Sequence, residues 1–382
     1  MKRTYLDHAS TTPPRPEALA ALTRWTALPA ADPGRLHAEG RVVRDALEDA
    51  REQVAMLIGA TPREVVFTSG ATESINAAVW GATRQHPGAP VLFADVEHSA
   101  VREASTRLAP SEIIPVDVTA RLDTGALESR LSAQSLPRPA LVHCQWANHE
   151  VGTLQPAHQI VELCRAAGVP VHVDAAAACG HVPLDLAGLG ADLVSLSAHK
   201  LGGVPGAGAL IIRRGSRFEP LIVGGEQERA RRGGLEALPA LVAFGAAAAA
   251  LGADDAHLLR AEADRARAQI AALTSSATSV EGVDVVGPDR PDQRLPSLLC
   301  LGVHGVEAEP VLIGLDRAGV AVHSGSACSS ESIEPSPVLE AMGVDASLSL
   351  RVSVGWSTTE EDVAAFGAAF TEVVAGLRAL RG

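Results

Sequence analysis

The chain has 382 residues and 32 basic side chains, yet only Lys2 and Lys200 are lysines; the rest are arginines. Lys200 follows an apolar run at 191–196 and precedes Gly202 and Gly203, a pattern that predicts a strand delivering it into a glycine turn. Arginine stays protonated near neutral pH, whereas a partly buried lysine can lose its proton and act as a nucleophile. Lys200 is therefore a candidate Schiff-base lysine, set against the plainer reading of a surface lysine. Asp174 closes the apolar run at 169–173. A carboxylate at the end of a buried strand is costly unless it is paired, and either a pyridinium nitrogen or a helix start would pair it. Cys328 sits among Ser324, Gly325, Ser326, Ala327, Ser329 and Ser330, unlike Cys300 with its apolar neighbours. A thiol in such a loop points to chemistry more than packing. Arg351 lies inside a short apolar strand, where a substrate carboxylate would suit its fork.

These groups need a scaffold. His98 follows the strand-like run at 90–94, where open α/β sheets place their ligands, or else it caps the next helix. Ser69, Gly70, Ala71 and Thr72 join a strand at 64–68 to a helix running through Trp80. Such a start is either an anion site or a helix capped by Ser69 or Thr72. Further strands are expected at 113–116, 139–146 and 209–212, with helices at 35–58, 125–131, 159–167, 238–251 and 257–273. Alternation of strand and helix predicts an α/β fold with a mostly parallel sheet and helices on both faces. Beyond Asp254 the pattern changes to strands at 298–302 and 320–323 and helices at 310–317 and 360–380, predicting a small α+β C-terminal domain. The expected division is a large domain at 15–253 and a small one at 1–14 with 254–382. The loop at 224–234 is dense in Gly and Arg, too polar to bury unless it meets a ligand or another subunit.

Composition removes other classes. A net charge of −13 argues against a broad nucleic-acid-binding face. Five cysteines without close pairs argue against a disulfide framework or a zinc site. The N-terminus has no apolar run behind Lys2 and Arg3, and the apolar stretch at 241–251 is too short to span a bilayer, so a cytoplasmic protein without membrane contact is expected. No GxxxxGK loop is present for ATP.

Taken together and in order, several motifs make the chain resemble the cysteine desulfurases of the class V aminotransferase family. They are Tyr5-Leu6-Asp7-His8-Ala9, the run at 67–74, Glu97-His98-Ser99, Asn148-His149-Glu150-Val151-Gly152-Thr153, His172-Val173-Asp174-Ala175, Ser197-Ala198-His199-Lys200, Gln227-Glu228-Arg229, Ser324-Gly325-Ser326-Ala327-Cys328, and Arg351 with the run at 358–362. The resemblance implies a fold type I architecture, a homodimer, and pyridoxal 5'-phosphate held by Lys200 as an imine. It implies that Asp174 pairs with the pyridine nitrogen and that His98 stacks on the ring and moves protons. Gly70 and Ala71 belong to the cofactor's cradle, and Thr72, Ser197 and His199 hold the phosphate. Asn148 belongs to the cofactor site and, with Arg351, fixes the substrate carboxylate. Cys328 takes sulfur from L-cysteine as a persulfide, leaving L-alanine, and a sulfur-acceptor protein docks near its loop. Another class V enzyme, such as a selenocysteine lyase or an aminotransferase, and a non-catalytic cofactor-binding scaffold are the alternatives. The sulfur's destination, iron–sulfur assembly among others, is left open. Three positions depart from the family: Ala177 replaces the usual Gln near the cofactor's phenolic oxygen, Leu235 replaces a Thr that reaches the partner's phosphate, and His149 replaces an Asn. The loss at 177 removes a hydrogen bond worth about 0.5–1.5 kcal/mol.

Overall fold

The computed structural model describes residues 3–28, 31–324 and 335–380. Cys328 lies outside the described residues. The strands in chain order are β1 (Thr4–Tyr5), β2 (Val65–Thr68), β3 (Val91–Ala94), β4 (Ser111–Ile114), β5 (Leu141–Gln145), β6 (Val171–Asp174), β7 (Leu193–Ser197) and β8 (Gly208–Ile212). They continue with β9 (Val283–Val286), β10 (Leu298–Val303), β11 (Val320–Ala321), β12 (His323–Ser324) and β13 (Ser349–Ser353). The first four helices are α1 (Pro16–Thr26), α2 (Ala38–Leu57), α3 (Ala71–Gln85) and α4 (Ser99–Leu108).

The main sheet has the order β2-β8-β7-β6-β5-β3-β4, and only β8 runs against its neighbours. Both faces of this sheet are covered, so its central strands are buried along their whole length. Successive side chains alternate between faces. Val91 and Phe93 join the core with α3 and α4, whereas Leu92 and Ala94 join the core with α2. In β5, β6 and β7 the alternation places Gln145, Asp174 and Ser197 on the α3 side, one step beyond His143, His172 and Ser195. Apolar Cys144, Val173 and Leu196 pack on the other side. The chemistry of the site is thus fixed by strand parity.

Several boundaries differ from expectation, two of them for plain local reasons. α2 begins at Ala38 because His37 takes the N-cap, its Nδ1 accepting the Gly40 N–H at 3.1 Å. β4 occupies Ser111–Ile114, because Pro115 has no N–H to continue the ladder with β3. The helices expected at 238–251 and 257–273 form one run, Leu238–Thr278, interrupted by left-handed backbone at Asp255 and Ala256 (φ 55° and 60°).

The second sheet is antiparallel, in the order β12-β13-β10-β9. It has its own core, including Leu299, Leu301, Leu350, Phe366 and Phe370. The N-terminal β1 pairs with β11, Thr4 opposite Val320, and Leu6 enters the same core. This brings Asp7 and His8 beside β13. Among the described residues no single helix is long and apolar enough to cross a membrane.

Candidate active site

A cavity of about 760 Å³ opens over the carboxyl ends of β5, β6 and β7. Gly70, Ala71, Thr72, His98, Asp174, Ser197, His199, Lys200 and Arg351 all line it, although they come from positions spread across most of the chain. The wall at α3 starts with a tight turn. Glu73 accepts the Ser69 N–H at 2.9 Å and is held by Arg232 at 3.0 Å. Gly70 occupies the N-cap position and no side chain caps the helix, so the plain-cap reading of Ser69 or Thr72 is not what the structure shows. The opening amides of a 15-residue helix are left with the partial positive charge that favours an anion. Gly208 makes this turn possible: a Cβ there would lie 2.5 Å from the Gly70 Cα.

Lys200 ends a short 3-10 turn, Ala198–Lys200, that follows β7. Gly202 then takes φ +96°, and a Cβ on Gly203 would press on Ala198, so the glycines set the sharp exit behind the lysine. No described residue hydrogen-bonds the Lys200 amine. Burial lowers its pKa and Arg351 adds to the effect, against the opposing pull of Asp174 and Asp7. Asp174 receives one hydrogen bond, from the Ala176 N–H to Oδ1 at 3.0 Å. Burial raises its pKa, with the Ala176 N–H, Lys200 and His149 pulling the other way. It is therefore no helix cap but a buried carboxylate short of positive partners. Ala177 lines the same cavity. His199 Nδ1 lies 3.1 Å from Thr11 Oγ1.

Both readings of His98 hold at once. It lines the cavity, and its Nδ1 caps α4 by accepting the Ala100 N–H at 3.1 Å. Burial first, then His149, Lys200 and Arg102, push its pKa down to about 3, so the ring is neutral. Its neighbour Glu97 is buried, with Oε1 accepting the Gln145 N–H at 2.7 Å and Oε2 without a partner among the described residues. Burial raises its pKa to about 8 and Asp174 adds to the rise, so Glu97 is mostly protonated at neutral pH. Sequence reasoning gave Glu97 no role, because its environment is made by β5 and β6.

Arg351 is not unpaired, as its strand position suggests. Its Nη2 donates to Asp7 Oδ1 at 2.8 Å and Ser10 Oγ at 2.6 Å, and Nη1 donates to the His149 carbonyl at 2.9 Å. Its buried Nε has no partner among the described residues. Asn148 departs from its expected place. Its Oδ1 accepts the N–H groups of Glu150 and Val151 at 2.9 and 2.8 Å, and its Nδ2 donates to the Val96 carbonyl at 3.1 Å. The side chain is fully buried and shapes the 148–151 turn, while His149 and Glu150 reach the cavity. Cys300 also reaches the cavity wall, but burial pushes its thiol up to about 12.

The lysine, the buried carboxylate and the uncapped helix start within one cavity mark the class: a fold type I enzyme of the pyridoxal phosphate kind. The family model described as aminotransferase class-V matches residues 4–366, and the chain belongs to that family. A cysteine desulfurase of Cereibacter sphaeroides is 40% identical over 100% of this chain and 98% of its own. A cysteine desulfurase IscS of Dictyoglomus turgidum is 36% identical over 95% and 92%. Among solved structures, a NifS-like protein superposes with a TM-score of 0.89 at 29% identity, covering 98% of this chain and 100% of that one. A structure of SspA in complex with cysteine has a TM-score of 0.78 at 26% identity, covering 92% and 98%.

Proposed function

We infer that the protein is a cysteine desulfurase: it converts L-cysteine to L-alanine and passes the sulfur to its own Cys328. The observation that carries this reading is the Lys200 amine, without a hydrogen-bond partner among the described residues, in one cavity with the buried Asp174 carboxylate. These residues fit pyridoxal 5'-phosphate. When bound, it supplies the electron sink that stabilises a carbanion at the substrate's Cα.

The chain's own groups do the rest. Lys200 would hold the cofactor, and its lowered pKa suits its amine to carry the Cα proton. Asp174 would pair with the cofactor's positive ring nitrogen, which would offset the cost of its burial. The amides at 71 and 72, with Thr72, Ser197 and His199, would hold the phosphate. His98, which lines the cavity, would pack against the cofactor's ring. Arg351, which lines the cavity, takes the substrate carboxylate, while Asp7 and Ser10 keep the guanidinium in place. Asn148 acts through the turn it builds. Cys328, as a thiolate, attacks the substrate sulfur; the new S–S bond forms as the Cβ–S bond breaks, and that pair stays with the substrate carbon. A homodimer and a sulfur-acceptor protein complete the working unit. The exposed Val223 and Leu235, 74% and 62% accessible, flank the polar loop in sequence and offer apolar surface to a second copy. The chain works in the cytoplasm, without direct nucleic-acid contact.

The desulfurase relatives do not favour a selenocysteine lyase, an aminotransferase or an inert scaffold. Borohydride treatment of the loaded protein followed by peptide mapping tests the assignment. The cofactor should be fixed on the peptide carrying Lys200 and be absent from Lys200→Ala; label on another peptide would refute it.

A further inference from the structure

The cavity holds two imidazoles that differ in what their nitrogens are already doing. His98 and His149 pack edge to face, with ring centroids 5.0 Å apart and planes at 64°. His98 Nδ1 is taken by the Ala100 N–H, so the neutral ring carries its proton on Nε2 and has no free acceptor nitrogen. His98 can give a proton to a ligand, but to gain one it must surrender the cap of α4. His149 is built the other way. Its Nε2 lies 3.4 Å from Glu150 Oε1, and among the described residues its ring has no other hydrogen-bond or ion-pair partner. An ionised carboxylate at Nε2 selects the Nε2–H form and leaves Nδ1 as a bare acceptor.

Glu150 is suited to that task. Its Oε2 accepts the Ser336 hydroxyl at 2.5 Å. Burial works to raise its pKa, but His149, Ser336 and Arg351 outweigh burial and hold it below the ordinary value. Residue 149 is also tied to the carboxylate-binding fork, because Arg351 Nη1 donates to its carbonyl at 2.9 Å.

We propose that His149, oriented by Glu150, is the proton acceptor for the α-ammonium group of the entering amino acid. The N–H bond of the ammonium breaks and its electron pair stays on nitrogen. The proton bonds to His149 Nδ1, and the Glu150 carboxylate offsets the new charge. The amine so freed is the nucleophile that the reaction needs. The proposal rests on the desulfurase reading, since it takes the ligand to be an amino acid whose carboxylate Arg351 binds.

The test uses the loaded enzyme with ¹⁵N-labelled histidine, comparing the wild type with His149→Asn and Glu150→Gln. The His149 resonance, assigned by its loss in His149→Asn, should report the Nε2–H form in the wild type and a mixture of forms in Glu150→Gln. On rapid mixing with L-cysteine, His149→Asn should slow the first change in the cofactor's visible absorbance by about 100-fold. The resting spectrum should be unchanged. An Nδ1–H form of His149 in the wild type, or an unchanged rate in His149→Asn, would overturn the proposal. Neither result would disturb the assignment of Lys200 and Cys328, which borohydride mapping and alanine release decide separately.

Discussion

Replacing Glu97 with Gln should change how stability depends on pH, and the structure gives the size of the change. Glu97 is buried, one of its oxygens lacks a partner, and Asp174 lies near enough to disfavour a second negative charge. Its pKa therefore rises from the ordinary 4.5 to about 8. A raised folded-state pKa means that the folded chain binds a proton the unfolded chain has lost. The stability contributed by Glu97 is then complete below pH 4.5 and declines as pH climbs to about 8. At about 1.4 kcal/mol per pH unit, the decline is on the order of 5 kcal/mol. Gln keeps the acceptor for the Gln145 N–H and cannot ionise. The difference in unfolding free energy, wild type minus Glu97→Gln, should fall steadily between those limits in urea titrations at several pH values. Infrared spectra at pH 7 should show a protonated carboxyl band in the wild type that the variant lacks. A flat difference, or spectra alike in both, would refute the buried-acid account.

Other expectations follow from single contacts. Gly208→Ala puts a Cβ 2.5 Å from the Gly70 backbone, so it should displace the α3 start and weaken cofactor binding by at least about tenfold in equilibrium titration, with strand β8 otherwise kept. Glu228→Ala would leave the buried Arg51 without its bidentate partner, now at 2.6 and 2.7 Å. It should cost about 3–5 kcal/mol in denaturant unfolding.

Lys200 and Asp174 were legible in the sequence because a strand's end is marked locally, by an apolar run followed by a polar residue and a turn. The face on which each stands follows from counting by two. What the sequence hid depends on contacts made across the fold. Arg351 finds Asp7 and Ser10 only because β1 lies beside β11 and the chain that follows it reaches β13. Asn148 carries the same type and spacing as a ligand residue, yet backbone amides two and three positions on consume its side chain. The Gln-Glu-Arg loop shows the limit most plainly. Glu228, Arg229 and Ala230 take left-handed backbone at φ 49°, 58° and 59°, a conformation their types do not favour. The buried Glu228 pair with Arg51, and the Phe67 N–H at 2.8 Å, hold the segment there. Nothing within the loop itself announces it.

The central claim is that this cavity frees sulfur from L-cysteine onto Cys328. The most direct measurement mixes the cofactor-loaded protein with L-cysteine and a reductant and assays alanine and sulfide together, beside Cys328→Ala. Equal release of the two, lost in the variant while its bound cofactor keeps its colour, is the predicted result. Alanine and sulfide release that persists unchanged in Cys328→Ala would contradict it.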